Sequence, residues 1–374
     1  MSVISRIEIS HHRLPLDPPF VASWDPRPRT HFPATVVQVH DDAGHVGVGS
    51  GDVMYGFADY ESYFIGEDPL DIERHAGILA NVEFHAGRPW PLDVALWDLA
   101  GQISGRPVWD LVGGRDRRVR AYASSAVHRP VADMVAVARQ ARRLGFPALK
   151  VRFGRADLAD DLAVVRAIRD DVDDSLELMV DCNQGWRMPW DVRAPWDVDH
   201  ATEVAEALVA ERVYWMEEPL HRGDYDGMAE LRRRVDLPIA GGELTREPDE
   251  FAELLRRDCL DVYQPVCMHP GHHRPAASRG RCLGGRQDVH PAHMGQRDWS
   301  AGQCPPRCRH GGGPVPRIPL RSTRVDDGSA RLRHHRNDRG RRDGWIMLSD
   351  RPGLGCTIDD KALARTASRA ATFS

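Results

Sequence analysis

The sequence predicts an α/β fold: a (β/α) barrel preceded by a small α+β domain. Three observations carry this. From about residue 121 to 266, short apolar runs alternate with amphipathic helical stretches. Three successive apolar runs end in an acid at the same relative place, Asp181, Glu217 and Glu243. Residues 1 to about 120 instead place strand-like stretches before a helical one.

The chain has 374 residues, 41% of them apolar, enough for one large core or two smaller ones. A formal charge of -5 and a pI near 6.4 fit an ordinary soluble protein. No apolar run approaches the roughly 20 residues of a membrane span, and the first residues show no basic region followed by an apolar stretch. Seven scattered cysteines, an odd count without framework spacing, fit reduced thiols in a cytoplasm.

In the first zone, VISRIEIS and ATVVQVHDDAGHVGVGSG read as strands, the second folding back as a hairpin around Asp41-Asp42-Ala43-Gly44. PLDVALWDLAGQI then carries helical periodicity, with Val94, Leu96, Trp97, Leu99 and Ala100 on one side. Strands followed by helices read as α+β. In the second zone, helix VADMVAVARQARRLG leads to strand PALKVRFG, and LADDLAVVRAIRDDV to LELMVDCNQ. TEVAEALVAERV then leads to VYWMEEP, MAELRRRV to LPIAGGE, and FAELLRRD to LDVYQPV. Lys150, Asp181, Glu217 and Glu243 stand 31, 36 and 26 residues apart, about one βα unit each. Five such units in series favour a barrel over a doubly wound sheet.

In a parallel barrel the C-terminal strand ends meet at one mouth. Three carboxylates there would repel unless a divalent cation neutralised them, and an all-oxygen set suits Mg²⁺. The alternative for any one acid is a helix cap or a solvated loop. VYWMEEP holds two acids, of which alternation turns one inward. Lys150 and Arg152 share a strand face and point toward the same mouth. A buried Lys near a cation suits proton transfer. Arg152 is a poor base but can hold a carboxylate in a two-pronged pair. The alternative for both is pairing the acids across the mouth.

Taken together, A-L-K-V-R, V-D-C-N-Q, M-E-E-P, A-G-G-E and ALWDLAGQISGRPVWDLVGG resemble the mandelate racemase-like branch of the enolase superfamily. The resemblance runs from residue 1 to about 268 and resumes at DGWIMLSDRPGLG. It implies a (β/α)7β barrel, residues 121–343, with a capping domain over its mouth, residues 1–120, to which residues 344–374 return. It implies Asp181, Glu217 and Glu243 as Mg²⁺ ligands, with Asn183 a partner beside the metal. The chemistry implied is removal of the proton next to a substrate carboxylate, through a stabilised enediolate. Substrate-binding candidates in the cap are Trp24, Arg27 and Arg29 in SWDPRPRT, and Asp52 and Tyr55 in SGDVMYG; each is also readable as a surface loop residue. A small carboxylate, an acid sugar, is the partner implied; nucleic acid and membrane are not, and a homo-oligomer is expected.

The branch commonly carries Lys-x-Lys where this chain has Lys150 and Arg152. One face then lacks a good proton carrier, which favours dehydration of an acid sugar to a 2-keto-3-deoxy acid over two-base racemisation or epimerisation. Lys150 would bind the carboxylate or assist the metal, and a His from a later strand would serve as acid and base.

Residues 269–343 depart from the family. Of these 75 residues, 43 are Arg, Gly, His or Pro, with no Lys, Glu, Phe or Tyr, so the family's seventh-strand His and eighth-strand Glu have no obvious counterparts. Cys304, Cys308 and His310 match no standard zinc spacing. An Arg-rich nucleic-acid segment, or an inactive product of an altered gene, is a further alternative. A frame shift explains more. Back-translated with GC-rich codons and read one base over, the zone permits RTFTPHTWGNGIGLLANAHLAAGTVG, YLEFPYDPP and TLGITGLRR, family-like text in family order. In that frame the His falls at the place of Ala292 and the Glu near Arg317. In the printed frame His290 or His293 is the displaced acid–base candidate, and the barrel is expected to lose its last two βα units.

Overall fold

The computed structural model describes residues 2–51, 53–114, 116–245, 247–264 and 344–374, with the backbone of 288–289, 317–319 and 341–342. The first body is a four-stranded antiparallel sheet in the order β15-β1-β2-β3. Its strands are β1 (Ile4–Ala22), β2 (Asp25–Asp41), β3 (Val46–Gly51) and β15 (Ala367–Phe373). Ile7 pairs with Val39 on one side and Phe373 on the other, so the chain's two ends meet in one sheet. Helices α1 (Ile72–His85) and α2 (Trp90–Ser104) cover it. Ile7, Val37, Val39, Leu79, Leu92, Leu96 and Leu99 fill the space between.

The approach of α2 to β3 is set by glycine. A Cβ on Gly47 would stand 2.2 Å from the Ala95 carbonyl oxygen, and one on Gly49 1.9 Å from that of Pro91. Only a strand lacking side chains on that face lets the helix backbone come so near. SWDPRPRT, read as a loop, is instead the tip of a long hairpin: Ser23 and Trp24 form the turn, and Arg27 and Arg29 lie on β2.

A short helix, α3 (Val108–Leu111), precedes β4 (Arg118–Arg120), and eight parallel strands build the second body. Along the chain these are β5 (Tyr122–Ser124), β6 (Ala148–Arg152), β7 (Glu177–Asp181), β8 (Met216–Glu217), β9 (Ile239–Gly241), β10 (Val262–Tyr263), β11 (Asp288–Val289) and β12 (Arg317–Pro319). Helices α4 (Val131–Arg143), α5 (Leu158–Val172), α6 (Val198–Ala210), α7 (Tyr225–Arg234) and α8 (Pro248–Arg256) fall between successive strands from β5 to β10. Asp157, Asp197 and Asp224 cap α5, α6 and α7, each accepting a first-turn backbone N–H. The strands read as apolar runs because both faces are covered, and Leu149, Val151, Leu178, Val180 and Ile239 are all buried.

Sheet order is β11-β10-β9-β8-β7-β6-β5-β12. Against the expectation that the last two βα units are lost, backbone strands stand at both places, and the rest of those units lies outside the described residues. Backbone at 288–289 continues the sheet beyond β10, and backbone at 317–319 pairs with β5 at the opposite edge. Among the described residues no pairing joins β11 to β12. The rest of 269–343, with the frame-shift reading and Cys304, Cys308 and His310, lies outside the described residues. The chain then crosses β13 (Arg341–Arg342), β14 (Trp345–Met347) and helix α9 (Asp360–Thr366) before β15. No described helix is long and apolar enough to cross a membrane.

Candidate active site

Parallel register puts the charged strand ends in one row. Arg152 is opposite Asp181 across β6 and β7, and Asp181 is opposite Glu217 across β7 and β8. Neighbouring strands lie about 4.8 Å apart, so the three heads are in reach of one another. Lys150, two residues back on the same face, bridges the acids: its Nζ is 2.9 Å from Asp181 Oδ2 and 2.5 Å from Glu217 Oε1. Lys150, Asp181 and Glu217 are fully buried. Glu243 follows β9 on the loop beyond Gly242, which has φ +98°.

Arg152 donates to Asp181 Oδ2 through Nη1, which also reaches Asn183 Oδ1 at 3.4 Å, and to Ser124 Oγ at 3.2 Å through Nη2. Its guanidinium lies 5.3 Å from the centre of the Trp24 ring. Asn183, at φ +51°, donates its backbone N–H to Asp181 Oδ1 and accepts the Ser23 hydroxyl at 3.1 Å.

Four residues join the cluster that the sequence reading did not single out. Gln264 donates to Glu217 Oε2 at 3.0 Å; it stands at a strand end like the acids, and that same rule would have found it. Ser124 closes β5 in the same way, whereas Ser23 carried no signal. Glu218 is the fourth. Alternation turns it away from Glu217, yet it is buried with φ +48°. The strand ends at Glu217, so alternation ceases to apply one residue later. A Cβ on Gly185 would stand 2.6 Å from Glu218 Oε1, so this carboxylate occupies the room that glycine leaves.

The other candidates lie further out. Arg27 is exposed and stacks on Trp190 with its guanidinium 4.0 Å from the ring centre. Arg29 is bound to the buried Asp25 at 3.1 Å. Tyr55 is 63% exposed and packs on Gly87 within the first body. Asp52, His290 and His293 lie outside the described residues.

Burial pushes the Glu218 carboxyl well above the usual range, and the charges of Glu243 and Asp181 push the same way against Lys150 and Arg152. Glu243 is raised for the same leading reason, then by Asp181, while Lys150, Arg152 and the facing Trp186 oppose the rise. Four carboxylates against two fixed cations leave the cluster short of positive charge. Its donor set is all oxygen, and the buried atoms Glu218 Oε2 and Gln264 Oε1 have no hydrogen-bond partner among the described residues. That chemistry fits a hard divalent cation. Among the described residues no three such side chains close on one point as they stand, and Lys150 bridges two of the acids.

A profile of the family described as Enolase C-terminal domain-like matches residues 133–277. D-galactarolactone cycloisomerase of Agrobacterium fabrum is 30% identical over 278 residues, 70% of this chain and 69% of that protein. The chain belongs to the enolase superfamily. L-talarate/galactarate dehydratase of Salmonella typhimurium is 28% identical over 308 residues, 75% of each chain. Among solved enolase superfamily structures, a racemase from Streptomyces coelicolor crystallised with bound magnesium superposes with a TM-score of 0.76 at 25% identity. The match covers 98% of this chain and 100% of the racemase. These relatives place the chain in the mandelate racemase branch, whose fold is an α/β barrel with an N-terminal capping domain.

Proposed function

We propose that this protein uses Mg²⁺ to remove the proton α to a carboxylate, and that its reaction is dehydration of an acid sugar to a 2-keto-3-deoxy acid. Asp181, Glu217 and Glu243 would hold the ion, with Asn183 bonded beside Asp181. Bound there, Mg²⁺ would supply positive charge where the substrate carboxylate gains negative charge as the proton leaves. The bridging Lys150 shares two of those acids, so it yields to the ion or assists it.

The observation that carries dehydration over racemisation is the setting of Arg152. Asp181, Asn183 and Ser124 fix the guanidinium under Trp24, and its proton does not leave near neutral pH. A side chain held this way orients a substrate oxygen rather than carrying a proton to and from carbon. One face of the substrate then has no proton carrier, which suits elimination. The base that takes the α-proton and the acid that protonates the departing hydroxyl both fall to a His supplied from residues 269–343.

The reading takes residues 1–120 as the cap, 121–343 as a closed (β/α)7β barrel and 344–374 as the segment returning to the cap. The pairing of β15 with β1, and of β12 with β5, supports it. A racemase or epimerase is the second reading, favoured by the whole-chain likeness to the Streptomyces coelicolor racemase.

Incubating the purified chain with Mg²⁺ and a panel of aldonic and aldaric acids separates the two. Dehydration yields a 2-keto product; exchange of the α-proton with deuterated solvent, without 2-keto product, selects the second reading. Glu243→Gln is expected to abolish Mg²⁺-dependent turnover, and retained turnover would sink the ligand set. A tandem-mass peptide map across 264–344 tests the acid–base assignment: shifted-frame peptides restore the seventh-strand His, and printed-frame peptides leave only the displaced His290 or His293 and predict a metal site without turnover.

A further inference from the structure

Arg152 is held partly by residues that do not belong to its sheet. Asp181 and Ser124 come from neighbouring strands, but Trp24 comes from the β1–β2 turn. Ser23, beside it, donates to Asn183, which itself accepts from Arg152. The turn is seated independently of Arg152. The Ser23 backbone N–H bonds the Ala126 carbonyl at 3.4 Å, Trp24 meets Trp186 edge-on at 6.1 Å, and Arg27 stacks on Trp190. Arg152 is 4% exposed, yet its Nε has no hydrogen-bond partner among the described residues, so the guanidinium is not locked by its sheet alone.

We infer that Trp24, with Ser23 beside it, is a positioning residue for Arg152, through which the hairpin turn sets how far the guanidinium neutralises Asp181. The inference rests on the metal reading above. The guanidinium is shared between an aromatic face and a carboxylate. With the ring gone, Asp181 becomes its strongest attractor, and the side chain competes harder with a divalent ion for the same oxygens. A turn that lifts away has the same effect, so cap position and cation affinity are coupled.

The test is a double-mutant cycle in the full-length protein, with Mn²⁺ alone as probe and its free concentration read by electron paramagnetic resonance. Trp24→Ala is expected to weaken Mn²⁺ binding about threefold, the scale of one cation–π contact, while Trp24→Phe, which keeps a ring face, recovers most of the loss. In an Arg152→Met background, Trp24→Ala changes nothing. Equal weakening with and without Arg152, or none in the parent, overturns the inference. If Arg152→Met does not fold, Arg152→Lys replaces it, since an ammonium lacks the planar stack. Glu243→Gln run in parallel reports the ligand set separately. Should it leave Mn²⁺ binding intact, that set fails, and metal-free thermal unfolding of the four cycle proteins decides the positioning claim. Non-additive melting temperatures for Trp24 and Arg152 support it, and additive ones overturn it.

Discussion

Lys150 shows how much one buried side chain holds together here. Its ammonium has no solvent contact and two carboxylate partners, so Lys150→Met strips the compensation from two buried acids. Removing one partner of a buried ion pair costs about 3–5 kcal/mol. The metal-free variant is therefore expected to melt several degrees lower, and millimolar Mg²⁺ should recover more stability in it than in the parent. Scanning calorimetry with and without Mg²⁺ checks both; an equal Mg²⁺ response would show that the ion goes elsewhere. Asp41 gives a pH prediction. Burial pushes its carboxyl up, but bonds from the His45 ring at 2.8 Å and the His45 backbone at 2.7 Å outweigh this and leave it below the usual range. A depressed folded value stabilises above the unfolded carboxylate pKa of about 3.9 and is lost as pH falls through the folded value. Asp41→Asn should thus lower the melting temperature at pH 7, with the gap to the parent closing toward pH 3.

At the scale of elements, α2 ties three parts of the chain through one residue. Asp98 accepts the backbone N–H of Val48 on β3 at 2.7 Å and of Leu354 in the C-terminal segment at 2.6 Å. Burial pushes its carboxyl up against those bonds. Asp98→Ala orphans both amides, at about 1–3 kcal/mol each, and is expected to loosen β3 and residues 353–355 together in hydrogen exchange. A raised folded value also means that stability declines with increasing pH between about 3.9 and that value. Asp98→Asn should remove that slope from a pH series of denaturation midpoints. The helix was legible in PLDVALWDLAGQI from its period, but the role of Asp98 was not, because its partners are 50 and 256 residues away. The strand-end acids were legible for the opposite reason: a parallel barrel repeats one local pattern, so Asp181 and Glu217 could be aligned by eye. Glu218 escaped because its place depends on where β8 stops and on Gly185 in the neighbouring loop after β7, and neither is periodic.

At the scale of the whole molecule, the first and last strands share one sheet, and Phe373 meets Phe57 edge-on at 5.7 Å. Deleting 367–373 bares the β1 edge from Ile7 to His12, and an uncovered edge recruits other strands. The truncated protein is expected to melt lower and to self-associate by light scattering; a monodisperse, equally stable product would mean that β15 is dispensable. The β–α alternation was legible in the second zone, where each unit buries its own strand. Residues 269–343 defeat the same reading, because a composition dominated by Arg, Gly, His and Pro carries neither a strand nor a helix period.

The pairing of β1 with β15 also bears on biosynthesis. The ribosome releases Ile7 366 residues before its partner Phe373, an interval on the order of 20–70 s at ordinary elongation rates. Throughout that time the nascent cap has an open edge, which a chaperone must shield or a neighbouring nascent chain can capture. A chain that ended before residue 367 would leave that edge permanently unpaired, so the seven residues of β15 are what close the first sheet.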